Sequence, residues 1–309
     1  MTTPNDKKIS LVLGSGGARG LAHIGVIQWL EENGYRIGSI AGCSMGALIG
    51  GIYAAGKLDV FEKWVRAITK RDIVALMDIS WQKSGLVKGD RIINTLRDLV
   101  GDMAIEDLSM PYTAVATDIK NGKEIWINSG SLFDAIRASI SLPLFFTPFR
   151  CSGTDFIDGG ILNPVPIAPT FGDKTDMTIA VNLCASVRKS DPPEPVQSPP
   201  PEEPGFREKI SRFIKSFQDN DDEPAEREND WGANDIISRA FDIMQSSIAR
   251  QKLAAYPPDI TIEISRQAGG LLEFDRAAEL IDLGYRQARE HFRRERFAPS
   301  SAAKDIQED

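Results

Sequence analysis

Residues 42–46 read Gly42-Cys43-Ser44-Met45-Gly46, set between an apolar run at 39–43 and an apolar helical pattern that continues through Ala55. A chain passing from strand to helix in so few residues must turn sharply, which crowds the backbone around the central serine and admits only small flanking residues. The same form occurs once upstream. An apolar run at 9–13 is followed by the glycine-rich stretch 14–20, and then Leu21, Ile24, Ile27 and Leu30 recur every third residue up to Gly34. Later apolar runs at 112–117, 124–127, 177–183 and 259–264 predict further strands, with helices at 132–140 and 233–253 and a charged helical run at 277–297. Strands alternating with helices predict the α/β class: a three-layer α/β/α sandwich around a largely parallel sheet.

At 309 residues, with 42% hydrophobic and 26% charged, the chain is long enough for one substantial core. One folded domain is expected over 8–297, interrupted at 189–230, where eight of the 18 prolines fall among Glu and Asp and no core can form, and followed by a disordered tail at 298–309. Residues 188–230 carry 7 basic and 12 acidic side chains, so much of the net charge of -8 belongs to this insertion and the folded remainder is close to neutral. No basic stripe interleaved with aromatics is present to bind a phosphate backbone, so a nucleic-acid partner is not expected. Cys43, Cys151 and Cys184 are too irregularly spaced for a disulfide framework or a metal cluster, and two histidines, His23 and His291, do not make a multi-histidine metal site. Neither metal nor organic cofactor is expected.

The opening MTTPNDKKIS has no apolar targeting core, and a cytoplasmic location is the expectation. Residues 37–56 are uncharged and about as long as a membrane span, but six of these 20 are glycine and the turn-forming pentapeptide sits in the middle. A βα unit accounts for them better than a span. Inside the insertion, Phe206, Ile210, Phe213, Ile214 and Phe217 fall on one face of a helix over 206–217, with Arg207, Lys209, Arg212 and Lys215 against Glu208 elsewhere on it. Such a segment suits peripheral contact with an anionic membrane, or docking on the protein's own surface.

In its strand-to-helix context Ser44 is a candidate nucleophile, with Gly42 and Gly46 making room for the elbow and the helix N-terminus placing a positive dipole end where negative charge develops. A capping serine in a small-residue turn would share the same spacing. The stretch Gly14-Ser15-Gly16-Gly17-Ala18-Arg19-Gly20 offers backbone N–H groups to an anion. A dinucleotide phosphate does not fit. Counted from Gly14, the third glycine of the fingerprint is Arg19, and the second strand ends at Cys43-Ser44 rather than at an acid. The oxyanion of acyl transfer fits better, with Gly16 and Gly17 as donors and Arg19 lending positive charge.

Ser44, Asp158 and His291 follow the Ser, acid, His order of α/β-hydrolases, but His291 lies in a charged helical run and Ser44 comes after a single βα unit, too early for that fold. His23, in the first turn after the glycine loop, is expected to pack or hydrogen-bond locally. A carboxylate remains as base. Asp158 ends the short apolar run of Phe156-Ile157-Asp158-Gly159-Gly160, where Gly159 and Gly160 let other backbone approach, although an Asx-turn aspartate has the same signature.

Five stretches together resemble the patatin-like phospholipases, particularly the bacterial branch similar to neuropathy target esterase. They are LVLGSGGARGLAHIGVI at 11–27, GCSMG at 42–46, ATD at 116–118, AIRASISLP at 135–143 and FIDGGILNPVP at 156–166. The resemblance implies a Ser-Asp dyad without histidine, mapping onto Ser44 and Asp158, and an oxyanion loop mapping onto Ser15, Gly16, Gly17 and Arg19. Ser15 departs from the glycine that the family's pattern carries there. The implied activity is hydrolysis of phospholipid or lysophospholipid acyl esters through an acyl-enzyme. A soluble esterase or thioesterase acting on small acyl esters, or a weakly catalytic lipid-binding regulatory protein, would use the same cleft, and acylation of Ser44 separates these readings. The oligomeric state is not legible.

Overall fold

A computed structural model describes residues 7–76, 87–143, 145–185 and 233–297. The insertion at 189–230, its amphipathic stretch 206–217 and the tail 298–309 lie outside the described residues. The chain divides into two units, residues 1–186 with 241–309, and residues 187–240. Of the second, only the helical residues 233–240 are described.

The first strand, β1 (Lys7–Leu13), lies inside the sheet between β2 (Tyr35–Cys43) and β7 (Met177–Ala185), parallel to both. Its apolar run is nearly continuous because both faces are covered, as in buried parallel sheets. Ile9, Leu11 and Leu13 enter the main core, whereas Val12 joins Ala180, Cys184, Val165, Ile167 and Ala249 in a smaller one. The main core also takes in α1 (Ala22–Glu32), α2 (Met45–Ala54), α3 (Leu58–Ala67), α5 (Asp90–Val100), α6 (Leu132–Ser139) and α8 (Ala277–Phe297). The smaller core is covered by the later turns of α7 (Ala233–Ala255), through Ala249 and Leu253, and by residues 165–167. Helix α4 (Lys70–Leu76) buries none of its residues.

The expected α/β sandwich is therefore present, with a sheet that is more mixed than expected. β3 (Tyr112–Asp118), β2, β1, β7 and β8 (Ile260–Ser265) run parallel, but β4 (Lys123–Ile127), β5 (Phe149–Cys151) and β6 (Thr154–Asp158) bring three antiparallel pairings. Turn chemistry explains this. β5 and β6 are joined by Ser152 and Gly153, both at positive φ (49° and 82°), the signature of a two-residue hairpin turn. Between β3 and β4, the Asp118 carboxylate accepts from the amides of Lys120 and Asn121, and Gly122 sits at φ 61°. Connections this short cannot make the crossover that parallel strands require.

The order of pairing along β3 positions the chemistry. One edge of β3 carries β4 along Ala114–Ile127 to Asp118–Lys123. The opposite edge is shared, with β2 on its first half, ending at Cys43 opposite Val115, and β6 on its second half, ending at Asp158 opposite Ala116. The C-terminal ends of β2 and β6 thus meet on adjacent residues of one strand, roughly 3.3 Å apart along it.

Helices α1 and α8 pack at contact distance through Gly25 and Gly284. A Cβ at Gly284 would run into the Ala22 carbonyl, and one at Gly25 into the Ile281 carbonyl. Trp29, Tyr35 and Phe292 close this interface, the Trp29 and Phe292 rings stacking at 4.6 Å. Gly284→Ala should therefore destabilise the fold by about 1–3 kcal/mol, although alanine is the better helix former by about 1 kcal/mol. Urea denaturation checks this, and a more stable variant would show that the helices part without cost.

No helix among the described residues is long and apolar enough to cross a membrane. The uncharged run 37–56 is divided between β2, the turn at Ser44 and α2.

Candidate active site

Ser44 stands between β2 and α2 at φ 55° and ψ -123°, a left-handed conformation that costs a non-glycine residue about 1–3 kcal/mol. Hydrogen bonds on both sides hold it there. Its amide donates to Ser139 Oγ at 2.8 Å, and Ser139 Oγ in turn donates to the Val115 carbonyl at 2.6 Å. Its carbonyl accepts from the amides of Ala47 and Leu48, which starts α2 at once. The two motif glycines are contact points: a Cβ at Gly46 would strike the Leu13 carbonyl, and one at Gly42 the Gly46 carbonyl. The spacing read in the sequence is thus the close approach of β1, β2 and α2.

Asp158, at the end of β6, is fully buried. Its Oδ2 accepts from Ser44 Oγ at 2.5 Å, and its Oδ1 from the Gly160 amide at 2.7 Å and, more weakly, from the Cys43 thiol at 3.9 Å. The main chain is held too, its amide donating to the Ser141 carbonyl at 2.9 Å and its carbonyl accepting from Thr117 Oγ1 at 3.1 Å. Burial raises the Asp158 carboxyl to about 6, against the opposing pull of the donors Ser44, Gly160 and Cys43. It is thereby a better base than an exposed aspartate and is still mostly ionised near neutrality. Gly159 permits this placement, since a Cβ there would strike the Val115 carbonyl.

The glycine loop divides its amides between two uses. Those of Gly14, Ser15 and Ala18 donate to the carbonyls of Val181, Pro164 and Leu271, at 3.1, 2.8 and 2.9 Å. Those of Gly16 and Gly17 donate to no group among the described residues. Two expectations change as a result. The Ser15 amide is committed to the fold, and Ser15 Oγ is held by Gln245 Nε2 at 3.2 Å. Arg19, 2% exposed, directs its guanidinium into the protein: Nε donates to the Gly16 carbonyl at 2.9 Å, Nη1 to the Arg266 carbonyl at 2.8 Å, and Nη2 to Asp242 Oδ1 at 3.1 Å. Its charge is spent on the loop and on Asp242.

Neither histidine meets Ser44. His23 is buried, and its Nε2 donates to the Gly14 carbonyl at 2.8 Å. Burial lowers it to about 4, so it is neutral at physiological pH and packs locally, as expected. His291 lies on α8, its ring T-shaped to that of Phe292 with centroids 5.6 Å apart. The cysteines are unpaired, and burial together with the Asp158 charge pushes the Cys43 thiol up, leaving it a neutral donor. Among the described residues no group of His, Cys, Asp and Glu is arranged to hold a metal ion.

Sequence reasoning assigned no role to Ser139, Ser141, Thr117, Asp242 or Gln245. The first two lie in the quoted run 135–143 and Thr117 in ATD, but hydroxyls that support a turn from a neighbouring strand or helix leave no local signature. Asp242 and Gln245 reach the site from α7, across more than 220 residues of chain.

The chain belongs to the patatin-like phospholipase family, a family of lipid acyl hydrolases, whose model, described as Patatin-like phospholipase, matches residues 11–171. Within that family it is similar to the NTE family protein Rv1063c of Mycobacterium tuberculosis, 41% identical over 328 residues that cover 90% of this chain and 89% of the relative. It is also 35% identical to neuropathy target esterase sws of Drosophila sechellia, over 51% of this chain and 11% of that protein. The crystal structure of VipD from Legionella pneumophila superposes with a TM-score of 0.42 at 14% identity, covering 94% of this chain and 67% of that one.

Proposed function

We propose that the protein hydrolyses the acyl esters of phospholipids or lysophospholipids through a Ser44–Asp158 dyad. The observation that carries this reading is the 2.5 Å contact between Ser44 Oγ and the buried Asp158 Oδ2, made on a strained elbow. The lipid substrate class rests on the family and on its NTE relatives.

In this mechanism Ser44 Oγ attacks the ester carbonyl carbon while its proton passes to Asp158 Oδ2. The carbonyl oxygen becomes an oxyanion that accepts from the amides of Gly16 and Gly17, which donate to no other group among the described residues. Collapse breaks the ester C–O bond, and the leaving alkoxide takes the proton from Asp158, leaving the acyl group on Ser44. Water then attacks the acyl-enzyme, Asp158 accepts its proton, and the fatty acid departs as Ser44 is reprotonated.

The base works only when ionised, so kcat/KM for lysophospholipid should fall on the acid side through a single titration near pH 6, where burial places Asp158, and level off above pH 7. A fluorophosphonate probe should label wild type, with the same acid limb, and should not label Ser44→Ala. A limb near pH 4, the range of an exposed carboxylate, would contradict the buried base. Equal labelling of Ser44→Ala would remove the nucleophile assignment.

A further inference from the structure

The glycine loop is held largely from outside the span that the family model matches. Asp242 Oδ1, the Arg266 carbonyl, the Leu271 carbonyl and Gln245 Nε2 all lie beyond residue 171, and each bonds a residue of 14–20. The geometry points to Asp242 as a positioning residue: by anchoring Arg19 it fixes the Gly16 carbonyl and thereby aims the Gly17 amide at the oxyanion. This rests on the hydrolase reading and adds to it a residue acting through two others.

The aiming follows from peptide planarity. The carbonyl of Gly16 and the amide of Gly17 belong to one trans peptide and point in opposite directions. Arg19 Nε grips that carbonyl from the protein side at 2.9 Å, which turns the Gly17 N–H the other way. Gly17, at φ 57°, does not resist reorientation as a substituted residue would, so the grip must come from elsewhere. Arg19 in turn needs its far end fixed. Nη2 finds Asp242, on a turn of α7 whose next inward residues, Gln245 and Ser246, bond Ser15 Oγ and the Cys184 carbonyl. The Asp242 side chain is 39% exposed, so its loss lets water reach Arg19 without opening the core.

The test compares Asp242→Ala, Asp242→Asn and Asp242→Glu in the full chain, by lysophospholipid kinetics and by hydrogen exchange of residues 14–20. Asp242→Ala should lower kcat about tenfold to a hundredfold, part of what loss of a whole oxyanion donor costs. KM should change less than twofold, and exchange should be faster at Gly16 to Ala18. Asp242→Glu should restore most of kcat, and Asp242→Asn, which keeps an acceptor without the charge, should fall between. Unchanged kcat and exchange in Asp242→Ala would overturn the proposal, and so would a loss confined to thermal stability or to KM. If hydrolysis at the wild-type rate survives Ser44→Ala, the Ser44–Asp158 reading fails, and the exchange of the loop alone then decides whether Asp242 holds it.

Discussion

Asp158→Asn should remove nearly all ester hydrolysis and at the same time make the protein more stable at neutral pH. The carboxyl is fully buried and raised from 3.8 to about 6. A group whose folded-state value lies above its unfolded one favours folding in its protonated form, so that contribution is complete below about pH 4 and disappears as pH rises through 6. Above that range the folded state holds an ionised carboxylate at a cost of up to about 3 kcal/mol, from two pH units at 1.36 kcal/mol each. Asparagine removes the charge and keeps the shape, its carbonyl still accepting from the Gly160 amide and its NH2 reaching toward Ser44 Oγ. The melting temperature of Asp158→Asn should exceed that of wild type by several degrees at pH 8, and the difference should shrink toward zero near pH 4. A variant less stable than wild type at pH 8 would mean that Asp158 is chiefly structural.

The other large effect belongs to Gly46→Ala. The added methyl would sit against the Leu13 main chain and close to the Gly14 carbonyl, where two β-strands and α2 converge and no flexible side chain can yield. Overpacking against backbone costs typically 1–3 kcal/mol and more when the neighbours cannot move, so a loss of at least 3 kcal/mol is expected in urea denaturation, with activity lost as the elbow shifts. Gly56→Ala is the comparison. At φ 68° with nothing within 4 Å, it bears only the left-handed backbone penalty of about 1 kcal/mol. Equal stability of the two variants would show that contact at Gly46 is not what the motif glycine serves.

The turn at Ser44 was legible because an elbow imposes local demands that local residues must meet: small Gly42 and Gly46, an apolar strand before them and a helix after. Most of the parallel strands were legible for a similar reason, their apolar runs marking them as covered on both faces, whereas β8 alternates, with Ile260, Ile262 and Ile264 buried. β2 was read only from Ser39 because Arg36 and Gly38 interrupt its first half, although Tyr35 and Ile37 face the core. The hairpin of β5 and β6 went unread. Its strands are short, and its turn places Ser152 in a conformation that serine seldom adopts.

Asp158 was singled out by its glycine neighbours and by the shortage of histidine, but its distance from Ser44 was not readable. That contact depends on two strands, 114 residues apart in sequence, ending on adjacent positions of a third. Which way Arg19 turns was not readable, because sequence shows a charge beside a glycine loop without showing that the guanidinium bonds the Gly16 and Arg266 carbonyls and Asp242. Its partner Asp242 lies in the helix predicted over 233–253, where nothing local links it to a loop 223 residues away.

In the proposed mechanism Ser44 and Asp158 act as one unit to form an acyl-enzyme. Rapid quench of a chromogenic acyl ester followed by intact-mass measurement tests it most directly. Wild type should gain one acyl group, located on Ser44, in a burst before steady turnover, Ser44→Ala should gain none, and Asp158→Asn should acylate at least a thousandfold more slowly. The double variant should be no slower in turnover than Ser44→Ala alone, as expected for residues sharing one step. A folded Asp158→Asn protein that acylates Ser44 at close to the wild-type rate would contradict the dyad.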